Sequence, residues 1–212
     1  MRGRPIRATV LGDRDAPRRV LVVGCIHGTE AAGKAVTRSL LSRPAPAGAA
    51  LWIVHAFNAD GCAAGTRGNA RGVDLNRNQR TNWRPVDPSG GTYYAGPHAL
   101  SEPESKAIRR LVRRIRPAIS VWYHQHAALV DDSGGDRRIE RCYARLVRLP
   151  FRRFGRPPGS ITTWQNTTYR RATAFVVELP AGALGPASVE RHVGAVSSLA
   201  ARGHRACSPA SR

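Results

Sequence analysis

The sequence at residues 19–30 is RVLVVGCIHGTE, an apolar run without polar alternation that contains His27 and ends at Glu30. Such a run predicts a strand that is buried on both faces, as in parallel sheets. Gly28 ends the strand, and residues 29–41 predict a helix. The first turn of that helix follows the carboxyl edge of the strand, where open α/β sheets hold their ligands. We therefore expect His27 and Glu30 to point into the same crevice.

Three further apolar runs predict buried strands that carry polar residues of the type found in active sites. The runs are residues 50–57, 118–123 and 172–179. Asn58 follows the first run, His124 follows the second, and Glu178 lies inside the third. The packing of a hydrophobic core does not require such polar side chains at the ends of several strands. We interpret them as parts of one site.

The order of the predicted elements sets the fold class. A short strand is predicted at residues 6–11, and helices are predicted at residues 101–115, 138–149 and 188–201. Strands that alternate with helices predict an α/β fold. We expect a single-domain three-layer sandwich over residues 1–212, in which a mixed, largely parallel sheet has helices on both faces. Residues 203–212 are predicted to be a disordered tail.

The pair His27 and Glu30 permits two interpretations on its own. A neutral imidazole and a carboxylate on one tight turn can share a divalent metal, and zinc accepts both ligand types. The alternative is a strand-end histidine beside a glutamate that interacts favourably with the helix macrodipole. The rest of the chain favours the metal.

The formal net charge of +20 raises the possibility of a nucleic-acid partner. The positive charges are scattered along the chain, and Lys34 and Lys106 are the only lysines, so the excess is almost entirely arginine. This pattern favours a solvated basic surface, and we expect no specific nucleic-acid partner. No run approaches the ~20 apolar residues of a membrane span.

The cysteines and the N-terminus leave the cellular compartment open. Four cysteines without a CxxC pair permit two disulfides but do not require them. Residues 1–7 are basic, and no apolar region follows them. We expect either a cytoplasmic protein or an exported one whose signal lies upstream.

A long irregular segment at residues 63–96 carries the sequence RGNARGVDLNRN at residues 67–78. Loops of more than about 15 residues in compact domains are usually functional or disordered. Together with three other motifs, this segment resembles the zinc carboxypeptidase family typified by carboxypeptidase A. The other motifs are His27-x-x-Glu30, the strand that ends in His124, and Phe175-x-x-Glu178. The resemblance extends from about residue 6 to about residue 200, and the segment WYHQ at residues 122–125 is most similar to bacterial murein peptide amidases.

The resemblance implies the metal site and the general base. His27, Glu30 and His124 would bind one Zn²⁺ ion per chain and leave a fourth position for water. Glu178 would be the catalytic base, taking a proton from water and passing it to the leaving amine.

The resemblance also implies how the substrate is held. Arg67 would stabilise the carbonyl oxygen as it becomes an oxyanion. Asn76 and Arg77 would bind a substrate carboxylate, for which a guanidinium fork is well suited. The expected activity is hydrolysis of an amide bond next to a free carboxylate, with a peptide or muropeptide as substrate and diaminopimelate as the residue released.

Alternatives exist at three of these positions. His126 lies on the same strand face as His124, and the resemblance favours His124 as the ligand. Arg71 is the alternative to Arg67, and the Arg-x-Asn-x-x-Gly spacing favours Arg67. The alternative to a catalytic role for Glu178 is a structural role as a buried, paired acid, since charged residues in core strands are rare unless they are paired.

Other polar residues receive lesser roles. Asp74 is predicted to support the loop rather than to react. Four histidines have no partner in the motifs, and no functional role is predicted for them: His55, His98, His192 and His204. The tyrosine that carboxypeptidases place on a mobile loop before the glutamate has no clear match, and the candidates for that rim are Trp164, Gln165 and Tyr169.

Two other functions compete with the peptidase interpretation. The first is a zinc-dependent deacylase of N-acyl amino acids, which shares the His-x-x-Glu and Asn-Arg elements but usually has a shorter Arg-x-x-Asp-Leu-Asn-Arg segment. The second is a non-catalytic binding module for an anionic cell-wall polymer or nucleic acid. The complete metal set and Glu178 argue against the second.

Overall fold

The structure, a computed structural model, describes residues 3–207. Its strands are β1 (Thr9–Leu11), β2 (Arg18–Val23), β3 (Ala49–Val54), β4 (Ile119–Asp131), β5 (Phe151–Arg152) and β6 (Thr173–Pro180). Its α-helices are α1 (Gly33–Leu41), α2 (Ala59–Ala64), α3 (Pro103–Ile115), α4 (Arg137–Val147), α5 (Ile161–Thr168) and α6 (Pro186–Arg202). Two 3₁₀ turns complete the described elements, at Leu75–Arg77 and Gly203–Cys207.

The strands form one mixed sheet in which most neighbours are parallel. The hydrogen-bonded order is β1-β3-β2-β4-β5, with β6 also paired to β4. Strand β1 is antiparallel to β3, whereas β2 is parallel to both β3 and β4. The register places Val23, the last residue of β2, opposite Trp122 of β4, so the turn after β2 lies beside the segment of β4 that contains His124.

Apolar clusters cover both faces of the sheet. Val20 and Val22 belong to one cluster, which includes residues of α1, α4 and α6. Leu21 and Val23 belong to the other, which includes residues of α3 and α5. Successive residues of β2 are therefore buried on opposite faces, which explains why its sequence shows no polar alternation. The predicted α/β sandwich with helices on both faces is confirmed.

Two of the boundaries that differ from the predictions lie beside His27 and His124. Helix α1 begins at Gly33 rather than residue 29, because residues 29–32 form a tight turn in which Glu30 N–H donates to the His27 carbonyl over 3.0 Å. Strand β4 continues past residue 123 to Asp131. It does so because β6 pairs with it through His124 and, after a register shift, again at Leu129 and Val130.

Two disulfides join distant parts of the chain, Cys25 to Cys62 and Cys142 to Cys207. The second one explains why the predicted disordered tail is wrong for residues 203–207. That segment is a 3₁₀ turn in which Ala206 is buried and Cys207 is bonded to Cys142 on α4. Residues 208–212 lie outside the described residues. Within residues 3–207, no helix has the length and apolar character needed to cross a membrane.

A buried hydrogen-bond chain ties β4 to the helices on one face. The hydroxyl groups of Tyr123 and Tyr143 lie 2.6 Å apart, and the Tyr143 hydroxyl lies 2.9 Å from Nδ1 of His192 on α6. Burial lowers the pKa of His192 to about 4, so the imidazole is neutral near pH 7. His192 therefore has a structural role, as a partner in the core. These hydrogen bonds hold the side chain of Tyr123, the residue immediately before His124, in place.

Glu140 on α4 makes the stability of this fold depend on pH. Its side chain is fully buried, with one oxygen 3.1 Å from the Gly135 N–H and the other without a hydrogen-bond partner. Burial raises the pKa of Glu140 from 4.5 to about 7, and Asp132 and Asp131 add to the rise. The folded state therefore binds this proton more tightly than the unfolded chain. The resulting stabilisation is complete below about pH 4.5 and is lost as the pH rises through 7.

We expect Glu140→Gln to match the wild type in urea denaturation at pH 4, below the pKa of 4.5 of the unfolded chain. At pH 8 the variant should be more stable by about 3 kcal/mol, because the neutral amide avoids burying a charge. Comparing the two proteins removes the contribution of His192, which titrates in both. Equal unfolding midpoints of the two proteins at pH 8 would contradict the assignment.

Candidate metal centre and active site

The turn after β2 brings two side chains back toward the sheet. Glycine is required at position 28 because a Cβ there would overlap the carbonyl of Gly61. The N–H of Gly28 donates to the Thr66 carbonyl over 2.8 Å and holds the turn in place. The chain then reverses, so that Glu30 faces His27. The neighbouring strand β4 adds His124, the residue that follows its apolar run.

These three side chains converge on one point. Oε2 of Glu30 lies 3.0 Å from Nδ1 of His27 and 2.9 Å from Nδ1 of His124. One ligand atom from each residue lies within 4.8 Å of the others, and all three residues are buried. The structure thus brings together the three ligands predicted from the sequence.

Hydrogen bonding of His27 fits a metal at this point. Nε2 of His27 lies 2.9 Å from Oδ1 of the buried Asp74, whereas Nδ1 is buried without a hydrogen-bond partner. The carboxylate of Asp74 favours a proton on Nε2, which leaves Nδ1, 3.0 Å from Oε2 of Glu30, as the ring nitrogen available to a metal. Two imidazole nitrogens and a carboxylate are a donor set that zinc accepts. The residues therefore fit a zinc ion.

Asp74 also organises the irregular loop around the centre. Its Oδ1 accepts the Asn76 N–H over 2.8 Å, and its Oδ2 accepts Nε of Arg67 over 3.0 Å. Burial raises the pKa of Asp74, but His27 and Arg67 outweigh it and hold the pKa far below its usual range. Asp74 is thus a buried anion that links His27 to Arg67, in agreement with the supporting role predicted for it.

Arg67 reaches the metal ligands, whereas Arg71 does not. Nη1 of Arg67 lies 2.6 Å from Oε1 of Glu30. The Arg71 side chain is 62% exposed and lies 3.8 Å from Glu102, outside the cavity. The two contacts of Arg67, with Glu30 and with Asp74, hold its guanidinium beside the centre.

An open cavity of about 1230 Å³ surrounds the centre. Asn76 and Arg77 line it from the 3₁₀ turn, and Oδ1 of Asn76 accepts the Ile161 N–H over 3.0 Å. Glu178 lines it from β6, where it lies opposite His124 in the strand register. Every residue predicted for catalysis or substrate binding therefore lies in or beside one cavity.

Burial and neighbouring charges shift the pKa of Glu178 on the cavity wall. Burial raises the pKa of Glu178, His124 lowers it and Glu30 raises it, with a net upward shift. The carboxylate of Glu178 forms no ion pair within residues 3–207. His126, the alternative ligand, is exposed and lies at the rim of the cavity rather than in the metal group.

Tyr93 is a cavity residue that the sequence interpretation missed. The guanidinium carbons of Arg67 and Arg77 each lie 5.0 Å from the centroid of its ring, and the side chain is 43% exposed. It sits in an irregular loop, where no periodicity identifies an exposed aromatic ring as functional. Of the three rim candidates, Trp164 and Gln165 are buried, and Tyr169 packs against Trp164. None of these three lines the cavity.

Residues 1–136 match the zinc carboxypeptidase family. This match covers more than half of the chain, and the chain therefore belongs to that family.

Among its relatives, murein peptide amidase A of Vibrio campbellii is 30% identical over 206 residues, which are 85% of this chain and 77% of the relative. Murein peptide amidase A of Escherichia coli K12 is 33% identical over 127 residues, which are 53% of this chain. That alignment spans only about half of the E. coli protein, 51%. The crystal structure of murein-tripeptide amidase from E. coli O157 superposes with a TM-score of 0.71 at 26% identity, covering 88% of this chain and 84% of that one.

The contact of Tyr93 with two arginines predicts different effects for two substitutions. Cation–π contacts contribute about 0.5–1 kcal/mol each, so Tyr93→Ala should lower kcat/KM about tenfold. Tyr93→Phe keeps the ring and should stay within about threefold of the wild type. The measurement is steady-state hydrolysis beside thermal melting of each variant. An equal loss in both variants would assign the effect to the hydroxyl group instead.

Proposed function

We propose that the protein is a zinc-dependent hydrolase that cleaves an amide bond next to a free carboxylate in peptidoglycan-derived peptides. The observation that carries the proposal is the convergence of His27, Glu30 and His124 on one point, where Glu30 and His124 line a cavity that Glu178 also lines. We also propose that the catalytic unit is a single domain, because one sheet and its two apolar clusters organise the described residues.

His27, Glu30 and His124 would hold the zinc ion. Zinc bound there would polarise the scissile carbonyl group and lower the pKa of a water molecule. Glu178 takes the proton of the attacking water and gives it to the leaving amine. The pKa of Glu178 is shifted upward, which suits this proton transfer. A group that acts first as a general base and then as a general acid is most effective when its pKa is close to the working pH.

Arg67 stabilises the oxyanion that develops on the substrate carbonyl oxygen. Its guanidinium is already oriented by Asp74 and Glu30, so little reorganisation is needed at the moment of reaction. Asn76 and Arg77 bind the free carboxylate of the residue to be released. Both residues belong to one 3₁₀ turn and line the cavity that Glu30, His124 and Glu178 also line, which supports this role.

The substrate class rests on the relatives. The names of three related proteins refer to murein peptides, and the alignment with the Vibrio protein covers most of both chains. A cavity of about 1230 Å³ has room for several residues of a peptide. These observations favour a muropeptide over a single acyl amino acid.

Metal analysis tests the centre directly. Protein purified without chelator should contain about one zinc ion per chain, and His27→Ala should contain little or none because one of three protein ligands is lost. His126→Ala is the matched control, since it removes an exposed histidine of the same strand, and it should keep its zinc. Zinc retained in His27→Ala but lost in His126→Ala would show that the ligand set is wrong.

Hydrolysis of muropeptides tests the reaction. Glu178→Gln should keep its zinc and lose about 10²–10⁴-fold in kcat, the usual contribution of a general base. Glu190→Gln, a change of an exposed glutamate on α6 that pairs with Arg43, is the control and should retain full activity. If the zinc-loaded wild type leaves muropeptides intact but trims ordinary peptides from their carboxyl ends, the peptidoglycan substrate is wrong and the hydrolase remains.

A further inference from the structure

Asp131, at the end of β4, places a carboxylate on the cavity wall apart from the metal group. We propose that Asp131 determines specificity by binding an ammonium group at the end of the side chain of the released residue. This inference rests on the proposed function, because it concerns the residue that Asn76 and Arg77 would hold by its carboxylate.

The carboxylate of Asp131 is buried and rigidly held. Oδ1 accepts the Phe154 N–H over 2.7 Å, and Oδ2 accepts the Ser133 hydroxyl over 2.7 Å. The residue is 3% exposed. Both donors are neutral, so they orient the charge without neutralising it.

Asp131 has no cationic partner in the described part of the chain. No lysine, arginine or histidine nitrogen within residues 3–207 lies within 4.0 Å of its oxygens. A buried charge is costly unless it is paired, and the protein has 34 lysine and arginine residues against 14 acidic ones. The adjacent Asp132 pairs with Arg137 over 3.3 Å and does not line the cavity. A cation supplied by the substrate would complete the Asp131 site.

The other charges on the cavity are paired, screened or assigned to the proposed reaction, in which Arg77 binds the carboxylate and Glu178 is the base. Glu30 faces the two histidines, and Arg67 is paired with Glu30 and Asp74. Arg156 lies on the same wall as Asp131, but its side chain is exposed, so water and salt screen its charge. Asp131 is therefore the dominant fixed charge on this part of the wall.

Helix α5 contacts both ends of this part of the cavity. The N–H of Ile161, its first residue, donates to Asn76, and the side chain of Asn166 donates to the carbonyl of Ser133, two residues after Asp131. Asn76, Arg77 and Asp131 line the same open cavity of about 1230 Å³. A residue whose carboxylate is held by Asn76 and Arg77 can therefore extend its side chain within the cavity toward Asp131.

Matched substrates test this proposal in the zinc-loaded protein. The probes are identical acyl peptides that end in lysine, Nε-acetyllysine or norleucine with a free carboxylate. A charge-assisted pair in a buried site should raise kcat/KM for the lysine peptide about tenfold to a hundredfold over either neutral peptide. Equal cleavage of the three peptides by the wild type overturns the proposal without the need for any variant.

Asp131→Asn removes the charge and keeps an oxygen for the Phe154 N–H. It should reduce the lysine-to-norleucine ratio of kcat/KM to near one while norleucine hydrolysis stays within about threefold of the wild type. Asp132→Asn, the adjacent control, should keep the wild-type ratio. Retention of the lysine preference in a folded Asp131→Asn protein overturns the assignment to Asp131.

The outcomes separate this inference from the proposed function. If the wild type cleaves none of the three peptides and no muropeptide, the hydrolase proposal fails and this inference fails with it. If it cleaves all three peptides without preference, the hydrolase proposal stands and only the role of Asp131 is overturned.

Discussion

The candidate site depends on the buried carboxylate of Asp74. This anion contacts His27, the Asn76 N–H and Arg67, which belong respectively to the sheet edge, the 3₁₀ turn and the irregular loop. A charge in such a position is stable only while its donors surround it. The same contacts that stabilise the buried charge of Asp74 therefore hold His27, Asn76 and Arg67 in one arrangement, which the proposed metal site, carboxylate site and oxyanion donor would require.

The sheet explains why the principal site residues could be predicted from sequence. His27 and His124 follow the apolar runs of two strands, and parallel neighbours end at the same edge. Glu178 interrupts an otherwise apolar run, which identifies it as a residue kept for more than packing. Glu30 was placed by its spacing from His27, although it lies on a turn before α1 rather than on the helix itself.

The features that escaped prediction depend on contacts between distant parts of the chain. Tyr93 acquires its position from two arginines that come earlier in the sequence, and an isolated loop tyrosine gives no local signal. Asp131 lies beyond a register shift in β4, so its face could not be counted from His124. The disulfide partners are 37 and 65 residues apart, and only the folded chain shows which cysteines meet. Tail residues 203–207 are ordered for the same reason.

The bond between Cys25 and Cys62 has a consequence for how the centre acquires its ion. Cys25 lies two residues before His27, and Cys62 lies on α2, whose neighbouring Gly61 packs against the turn at Gly28. The cross-link restricts the unfolded chain and keeps this turn closed in the folded one. The turn that carries His27 would then be ordered by the fold itself. Binding of the proposed zinc ion would be an encounter with a preorganised chelate, in contrast to small domains whose folding waits for the metal.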